Sequence, residues 1–141
     1  MNRHALVGVI EEAMEVELTD RIKYIRTIMD ELQRLNSHLL FYSCCAQDVG
    51  ALTAFIYGMR DREQVINVME ETTGGRLIQN YYRIGGCQAD IDPNFVQNVK
   101  KLCAYMKPMF KEYQDVFTGN VIMENRFKNV GVLSREDAIS Y

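Results

Sequence analysis

The sequence predicts a mainly α-helical protein, a bundle of long helices, and two observations support this prediction. Proline, which breaks helices, occurs only at Pro93 and Pro108 among the 141 residues. Apolar residues recur at spacings of three and four, as they do on one face of an amphipathic helix. The composition, 48% hydrophobic and 25% charged, is typical of a folded protein. The length favours a single helical unit over residues 1–141.

The first two predicted helices lie in the first third of the chain. A short helix near residues 3–15 contains the apolar residues Leu6, Val9, Ile10 and Ala13. A long helix over residues 19–45 can begin with Thr19 or Asp20 as its N-cap. Its apolar face is formed by Ile22, Ile25, Met29, Leu32, Leu35 and Leu39, and its other faces carry Lys23, Arg26, Asp30, Gln33 and Arg34. This second helix is therefore predicted to be amphipathic.

Two more long helices are predicted further along the chain. The helix over residues 49–73 has an apolar face of Val49, Leu52, Phe55 or Ile56, Met59, Ile66 and Met69. The helix over residues 93–118 begins with Asp92 as N-cap and Pro93 at its first position. Its apolar face is formed by Phe95, Val99, Leu102, Met106, Phe110 and Tyr113. Because Pro108 removes a backbone donor, we expect it to bend or restart this helix.

The segment that separates these two helices, residues 74–92, is termed the Gly/Arg loop. It contains the run GGRLIQNYYRIGG, which has a glycine pair at each end and two arginines and two tyrosines between them. Gly74 and Gly75 let the backbone leave a helix with positive φ. Gly85 and Gly86 let the backbone approach a neighbour closely. Arginine and tyrosine side chains in such a loop usually have a partner.

The last part of the chain, residues 129–141, has a looser pattern. Val130–Leu133 is a candidate for a short extended segment, and Ser134 is a candidate N-cap, with Asp137 three residues later. The helix that follows would stop within two turns, which is too short for stability on its own. We therefore expect the chain to be a piece of a longer protein.

Charge and hydropathy exclude two classes of protein. The net charge of −3 and the pI of about 5.4 provide no positive field for nucleic acid or an anionic membrane surface. The longest uncharged runs, Leu39–Gln47 and Val49–Met59, are shorter than the roughly 18 to 20 apolar residues that cross a bilayer. The N-terminus has acidic residues where a signal peptide would need its cleavage region. We therefore expect a cytoplasmic protein.

The cysteines and histidines are few and widely spaced. They are Cys44, Cys45, Cys87, Cys103, His4 and His38, with no C-x-x-C pair and no histidine at zinc-ligand spacing. We therefore expect neither a metal site nor an iron–sulfur cluster built from this chain alone. Free cysteine commonly behaves as a small hydrophobe, so we expect buried thiols. His38 is expected to be a helix-packing residue.

Four blocks of sequence occur in an order typical of one protein family. They are RIKYIRTIMDELQRLNSHLLF at 21–41, QDVGALTAFIYGMRDRE at 47–63, GGRLIQNYYRIGG at 74–86 and NVGVLSREDAIS at 129–140. In this order they resemble the middle of the D subunit, the 49 kDa-type subunit, of the NADH:quinone oxidoreductase known as respiratory complex I. A lone R-I-G-G would not be specific, but four ordered motifs over nearly the whole chain are.

The resemblance implies a central fragment of a hydrogenase large-subunit-like fold, from the D subunit or from a fused C/D subunit. In the whole complex, a membrane-associated translocase, electrons from NADH pass along iron–sulfur clusters to quinone, coupled to ion translocation. The implied partners are the other subunits, especially the terminal-cluster subunit and the C subunit, and the implied location is peripheral, on the cytoplasmic side of the inner (plasma) membrane. The histidine and tyrosine that hold the quinone head lie outside this chain. We therefore assign it no catalytic residue and no bound cofactor, and expect the isolated fragment to be inactive.

Asp48 has two interpretations. It matches the family's aspartate that supports the quinone-binding histidine, where a nearby carboxylate favours the protonated imidazole. The residues alone favour a simpler role, because Asp48 stands just before an apolar helix and is a candidate N-cap. Both roles can coexist.

The Gly/Arg loop also has two interpretations. Arg76, Arg83, Gly85 and Gly86 match the family's loop that faces the subunit holding the nearest iron–sulfur cluster, where cations and exposed amides can raise the cluster's potential. Alternatively, the arginines cap helix carbonyls or pair with nearby acids, which are Glu70, Glu71, Asp90 and Asp92. Some family members carry a histidine where this chain has Ile78, so we expect no proton-coupled control through that residue.

The charged run Arg60–Glu63 lies in mid-helix. A solvated face is the usual explanation of such a run. In the family's context, the same residues can instead form buried ion pairs with segments absent from this chain.

Two other functions remain open at this stage. One is a membrane-bound nickel–iron hydrogenase large subunit, which shares the fold and would carry its C-x-x-C pairs outside this window. The other is a non-catalytic helical interaction protein that binds a partner through the Gly/Arg loop. The interaction protein would be complete in itself. A fragment, in contrast, has apolar faces that lack their covering segments, so we expect the isolated fragment to self-associate.

Overall fold

The computed structural model describes residues 2–141. Its helices are α1 (Asn2–Ala13), α2 (Asp20–Asp48), α3 (Leu52–Thr73), α4 (Phe95–Tyr113), α5 (Val121–Phe127) and α6 (Arg135–Ser140), with a π-helical turn at Gln114–Thr118 and the strands β1 (Tyr82–Arg83) and β2 (Gly86–Cys87). Because 71% of the chain is helical, the predicted mainly-α class is confirmed. Within residues 2–141, no helix combines the length and the apolar character that a membrane crossing requires.

The core lies between α2, α3 and α4. Helices α2 and α3 are joined by a three-residue corner and pack along each other as an antiparallel pair, and α4 packs against α3. The buried core residues are Ile25, Met29, Leu32, Leu39, Val65, Val68, Met69, Tyr81, Phe95, Leu102, Met106 and Tyr113. The α2 members repeat at the spacing that predicted this face.

The first half of α3 buries a different face from the one predicted. Leu52 and Ile56 are exposed, whereas Ala54 and Gly58 are buried against α2. A Cβ added at Gly58 would overlap the Ser43 hydroxyl. The two helices therefore approach so closely that small residues occupy the contact, which a search for large apolar side chains does not detect.

Helix α1 packs through a charged residue rather than its apolar ones. Leu6 and Val9 are exposed, and Glu11 is the residue of this helix that is buried. The predicted apolar face of α1 is therefore wrong, because the fully buried contact of this helix is made by an ion pair and not by its apolar side chains.

Helix α4 begins later than expected, passes Pro108 without a break, and ends earlier than expected. It starts at Phe95, because the Asp92 side chain accepts a hydrogen bond from the Asn94 N–H (2.8 Å) and so closes a turn before the helix. Pro108 lies inside α4 without ending it. The ring lies on the exposed face, where the carbonyl left without its donor can meet water. The regular helix ends at Tyr113 instead, where the π-helical turn follows.

The C-terminal part confirms one local prediction and corrects another. Ser134 is the N-cap of α6, and its hydroxyl accepts a hydrogen bond from the Asp137 N–H (3.1 Å). Val130–Leu133 forms no strand, and its three large side chains are exposed. With no neighbouring strand beside them among the described residues, these apolar residues have no ladder to join.

Candidate functional site

The Gly/Arg loop contains an ordered hairpin. The loop begins at Gly74, which ends α3 in the left-handed conformation with φ +70° and donates its N–H to the Glu70 carbonyl. Strands β1 and β2 then pair antiparallel, Tyr82 with Cys87 and Arg83 with Gly86. Gly85 has φ +80° in the turn between them. Gly74 thus has the positive φ expected of it. The close approach expected at Gly85 and Gly86 is not seen, because an added Cβ there would make ordinary contacts at 3.9 and 3.8 Å, and Gly85 is needed for its positive φ instead.

A buried ion pair holds this hairpin against the helices. Arg26 of α2 and Glu11 of α1 are 2% and 4% exposed, and two hydrogen bonds of 2.7 and 2.8 Å join the guanidinium to the carboxylate. Arg26 Nη2 also donates to the carbonyls of Arg83 (2.9 Å) and Gly86 (2.8 Å). Glu11 Oε1 in turn accepts a hydrogen bond from the Gly85 N–H (2.7 Å). Each charge is therefore countered by the other and by the loop backbone. Arg26 Nη2 shares its two hydrogens among three acceptors, and Arg26 Nε is buried without a hydrogen-bond partner.

The same contacts keep the pair ionised. Hydrogen bonds from Arg26 lower the pKa of Glu11, against the opposing effect of burial. The Glu11 carboxylate correspondingly raises the pKa of Arg26. The pair is therefore charged at neutral pH, which lets one carboxylate accept from both an arginine and a backbone amide.

A second contact joins the hairpin to the same two helices. The Tyr82 hydroxyl donates to Asp30 Oδ1 (2.7 Å), and His4 Nδ1 hydrogen-bonds to the other oxygen of Asp30. The rings of His4 and Tyr82 stack with their centroids 4.9 Å apart. Burial raises the pKa of Tyr82, so its hydroxyl remains a donor.

The two arginines of the Gly/Arg loop lie in different electrostatic surroundings. Arg76 forms ion pairs with Glu63 and with Glu70 (2.5 Å), and all three side chains are partly exposed. Arg83 is exposed on β1, and its side chain has no hydrogen bond or ion pair with any residue from 2 to 141. Asp90, a possible partner, pairs with Arg21 instead (2.8 Å). The interpretation that the loop arginines pair with nearby acids is therefore correct for Arg76 but not for Arg83.

Asp48 does not cap the helix that follows it. It is the last residue of α2, whereas the N-cap of α3 is Ala51. Its side chain is exposed and contacts no hydrogen-bond or ion-pair partner in the described part of the chain. A negative charge at a helix C-terminus is electrostatically unfavourable. The N-cap interpretation is therefore wrong.

An open crevice of about 520 Å³ begins two residues after Asp48. It lies between the corner that joins α2 to α3 and the start of α5, and its lining includes Leu52, Val116, Ile122 and Met123. Arg126 stabilises this corner, because its guanidinium donates to the Val49 carbonyl. Asp48 is exposed just before this crevice in the sequence but is not among the residues that line it, and the walls of the crevice combine polar and apolar side chains.

The charged run Arg60–Glu63 is not a solvated face throughout. Asp61 is 0% exposed and accepts hydrogen bonds from Arg60 (2.7 Å) and from the hydroxyls of Tyr105 (2.7 Å) and Tyr113. Burial opposes its ionisation, but the three donors lower the pKa of Asp61 below its usual value. Its partners lie on α3 and α4, so the buried pair needs no absent segment.

Cysteine and histidine do not form a site in the described part of the chain. Cys44 and Cys103 are exposed and Cys45 and Cys87 half-buried, so the expectation of buried thiols is wrong. His38 is exposed too, and does not pack between helices. Among residues 2–141, no three side chains of His, Cys, Asp or Glu come close enough to hold a metal ion.

The sequence interpretation missed Arg26 and Glu11, and only Arg26 left a signal. Arg26 stands next to Ile25 and three residues before Met29, both in the core, so its own position points inward. A charged residue at an inward position indicates a buried ion pair, because a charge is not buried alone. Glu11 left no such signal, because the apolar residues of α1 mark a face that is exposed.

The fold identifies the class of protein to which this chain belongs. The structure of a membrane-bound sulfane sulfur reductase, an archaeal respiratory membrane complex, contains a chain that matches 90% of this one with a TM-score of 0.86 and 26% identity, over 34% of its own length. The chain thus has the fold of a subunit of a membrane-bound respiratory complex. Residues 48–141 match the family described as "Respiratory-chain NADH dehydrogenase, 49 Kd subunit". The chain belongs to this family, and the resemblance found in its motifs is confirmed.

Curated relatives agree with this assignment. The NADH-quinone oxidoreductase C/D subunit of Phocaeicola vulgatus is 67% identical over 99% of this chain, and that of Bacteroides thetaiotaomicron 64%. The NADH-quinone oxidoreductase D subunit of Bacillus cytotoxicus is 39% identical, again over 99% of this chain. The chain spans 27% and 26% of the two C/D subunits and 38% of the D subunit. It therefore corresponds to about a quarter to two fifths of its relatives.

Proposed function

We propose that the chain is part of the peripheral-arm subunit of an NADH:quinone oxidoreductase, where it helps to form the quinone cavity and contacts the subunit that bears the terminal iron–sulfur cluster. In the whole complex, electrons pass from NADH along iron–sulfur clusters to quinone, coupled to ion translocation. This chain supplies walls and contacts, on the cytoplasmic side of the membrane, and the isolated fragment is inactive. The family assignment supports this function over a nickel–iron hydrogenase.

The observation that carries the proposal is Arg83 at the end of an ordered hairpin. Its charge is exposed and unpaired within the described residues, beside the glycines Gly85 and Gly86. A reduced iron–sulfur cluster gains negative charge, so a cation close to it stabilises the reduced form. Arg83 is thus available to a partner that carries such a cluster.

Arg76 has a smaller part in this proposal. Glu63 and Glu70 already neutralise its charge, so its field at a neighbouring subunit is weaker than that of Arg83. We infer that Arg76 supports the start of the loop at the interface, whereas Arg83 acts on the cluster.

Asp48 is the proposed contribution to the quinone site. Its side chain is exposed, lies at an unfavourable helix end, and stands two residues before Gly50, the first residue that lines the crevice. A carboxylate beside an imidazole favours the imidazolium. Asp48 would therefore hold a histidine from another segment of the full-length subunit in its protonated form, ready to donate to a quinone oxygen.

Replacement of Arg83 tests the loop contact. In the complete complex, Arg83→Ala should shift the electron paramagnetic resonance signal of the terminal cluster, or lower its midpoint potential, because the unpaired cation is lost. Arg76→Ala is the matched control on the same loop and should change the signal less. An unchanged spectrum together with normal assembly in Arg83→Ala would show that Arg83 is an ordinary surface residue.

A further inference from the structure

We propose that Arg26, held in place by Glu11, is the positioning residue of the Gly/Arg loop: it fixes the backbone from Arg83 to Gly86 so that the Arg83 side chain points to the partner. The inference rests on the proposed contact with the cluster-bearing subunit. Arg26 is an α2 residue, separated from Arg83 by more than fifty positions, and its hydrogen bonds to the ends of the turn reach the backbone carbonyls of Arg83 and Gly86. It therefore acts on any cluster through the loop.

The hairpin needs such a support. Strands β1 and β2 have two residues each, and a two-stranded hairpin alone is marginally stable in water. Arg26 Nη2 bonds to the carbonyls on both sides of the turn, at Arg83 (2.9 Å) and Gly86 (2.8 Å). One side-chain nitrogen thus sets the distance between the two ends of the turn.

Glu11 completes the arrangement from α1. Its Oε1 accepts from Arg26 Nη2 and from the Gly85 N–H, both at 2.7 Å. The loop therefore gives one donor to the acid and two acceptors to the base. Because both side chains are almost fully buried, the loss of either leaves its partner with an unpaired charge.

The second contact of the hairpin has the same pattern. Asp30 lies one turn after Arg26 on α2, and it holds Tyr82 through the tyrosine hydroxyl. His4, which stacks on Tyr82, lies two turns before Glu11 on α1. Both helices thus present polar groups to the loop along one face. This second contact can keep the hairpin near its place when Arg26 is altered, so conservative variants should still assemble.

The substitutions Arg26→Lys and Glu11→Gln test the inference in the complete complex. Lysine keeps the positive charge but lacks the planar fork that reaches the carboxylate and both carbonyls together. Amide hydrogen exchange, followed by mass spectrometry, should become about 10-fold faster in peptides that span residues 80–90, while peptides from α3 and α4 keep their rates. Arg34→Lys is the matched control, because Arg34 lies on the same helix in an exposed pair with Glu31.

The spectrum of the terminal cluster is the second readout. A positioning role predicts that Arg26→Lys changes the signal in the same direction as Arg83→Ala, although Arg26 itself is unable to reach the partner. Unchanged exchange at residues 80–90 in both variants would overturn the inference. A different outcome separates the two proposals. If exchange were faster in Arg26→Lys but the spectrum were unchanged in both Arg26→Lys and Arg83→Ala, Arg26 would be confirmed as the residue that holds the loop. The proposed contact of the loop with the cluster-bearing subunit would then be refuted.

Discussion

Asp61→Ala is expected to destabilise the protein by about 2–4 kcal/mol. The carboxylate is fully buried between α3 and α4 and accepts from two tyrosine hydroxyls and an arginine. Its loss leaves the Tyr113 hydroxyl buried without its acceptor, and removes the polar link between the two helices. Arg60 is 40% exposed and can be rehydrated, so most of the cost comes from the tyrosines and from the empty space. Urea unfolding of wild type and variant measures the difference.

The difference in unfolding free energy between wild type and Asp61→Ala should disappear in acid. Because the native contacts lower the pKa of Asp61, the unfolded chain binds this proton more readily than the native one. The stability that Asp61 contributes is therefore present above about pH 4 and is lost as the pH falls through its lower native pKa. Asp115→Ala is the matched control, since Asp115 forms an exposed pair with Lys111. An equal loss of stability in both variants would contradict the buried role of Asp61.

Asp48→Asn is expected to lower quinone reductase activity about 10-fold or more while assembly stays intact. A carboxylate close to an imidazole raises the imidazole pKa by about 1–3 units, so its removal depletes the protonated histidine by a similar power of ten. The fold should not suffer. Asp48 is exposed at the C-terminus of α2, where the loss of a negative charge is neutral or favourable. Steady-state quinone reduction and thermal unfolding, measured on the same preparation, separate the two effects.

Asp20→Asn is the control at the other end of the same helix. Asp20 is in the first turn of α2, where a negative charge is favourable, so this variant should lose a little stability and no activity. If the Asp48→Asn complex assembled and reduced quinone at the normal rate, Asp48 would not support the quinone-binding histidine.

The helical class was predictable because large apolar residues repeat with the helical period. Met29 and Leu32 on α2 and Leu102 and Met106 on α4 are buried as this period requires. The period identifies the buried face wherever the contact between helices is made by large side chains. Gly74 was predictable for another reason, since a helix that ends in the left-handed conformation favours glycine.

The buried charges were not predictable from the period alone. Arg26 and Asp61 have the side chains of exposed residues, and their burial depends on partners on other elements, Glu11, Tyr105 and Tyr113. Such partners are brought together only by the tertiary fold. The role of Gly58 was not predictable from the period either. This residue lets α3 approach α2 closely because it has no side chain.

The proposed contact between the Gly/Arg loop and the cluster-bearing subunit is open to a direct test. A photo-cross-linking residue in place of Ile84, which lies half-exposed in the turn of the hairpin, tests it directly in the complete complex. We expect a cross-link to the subunit that holds the terminal iron–sulfur cluster, identified by mass spectrometry. The same residue in place of Lys107, which is exposed on α4, should give no cross-link to that subunit. A cross-link from position 84 to a different subunit, or to none, would show that the loop does not face the cluster-bearing subunit.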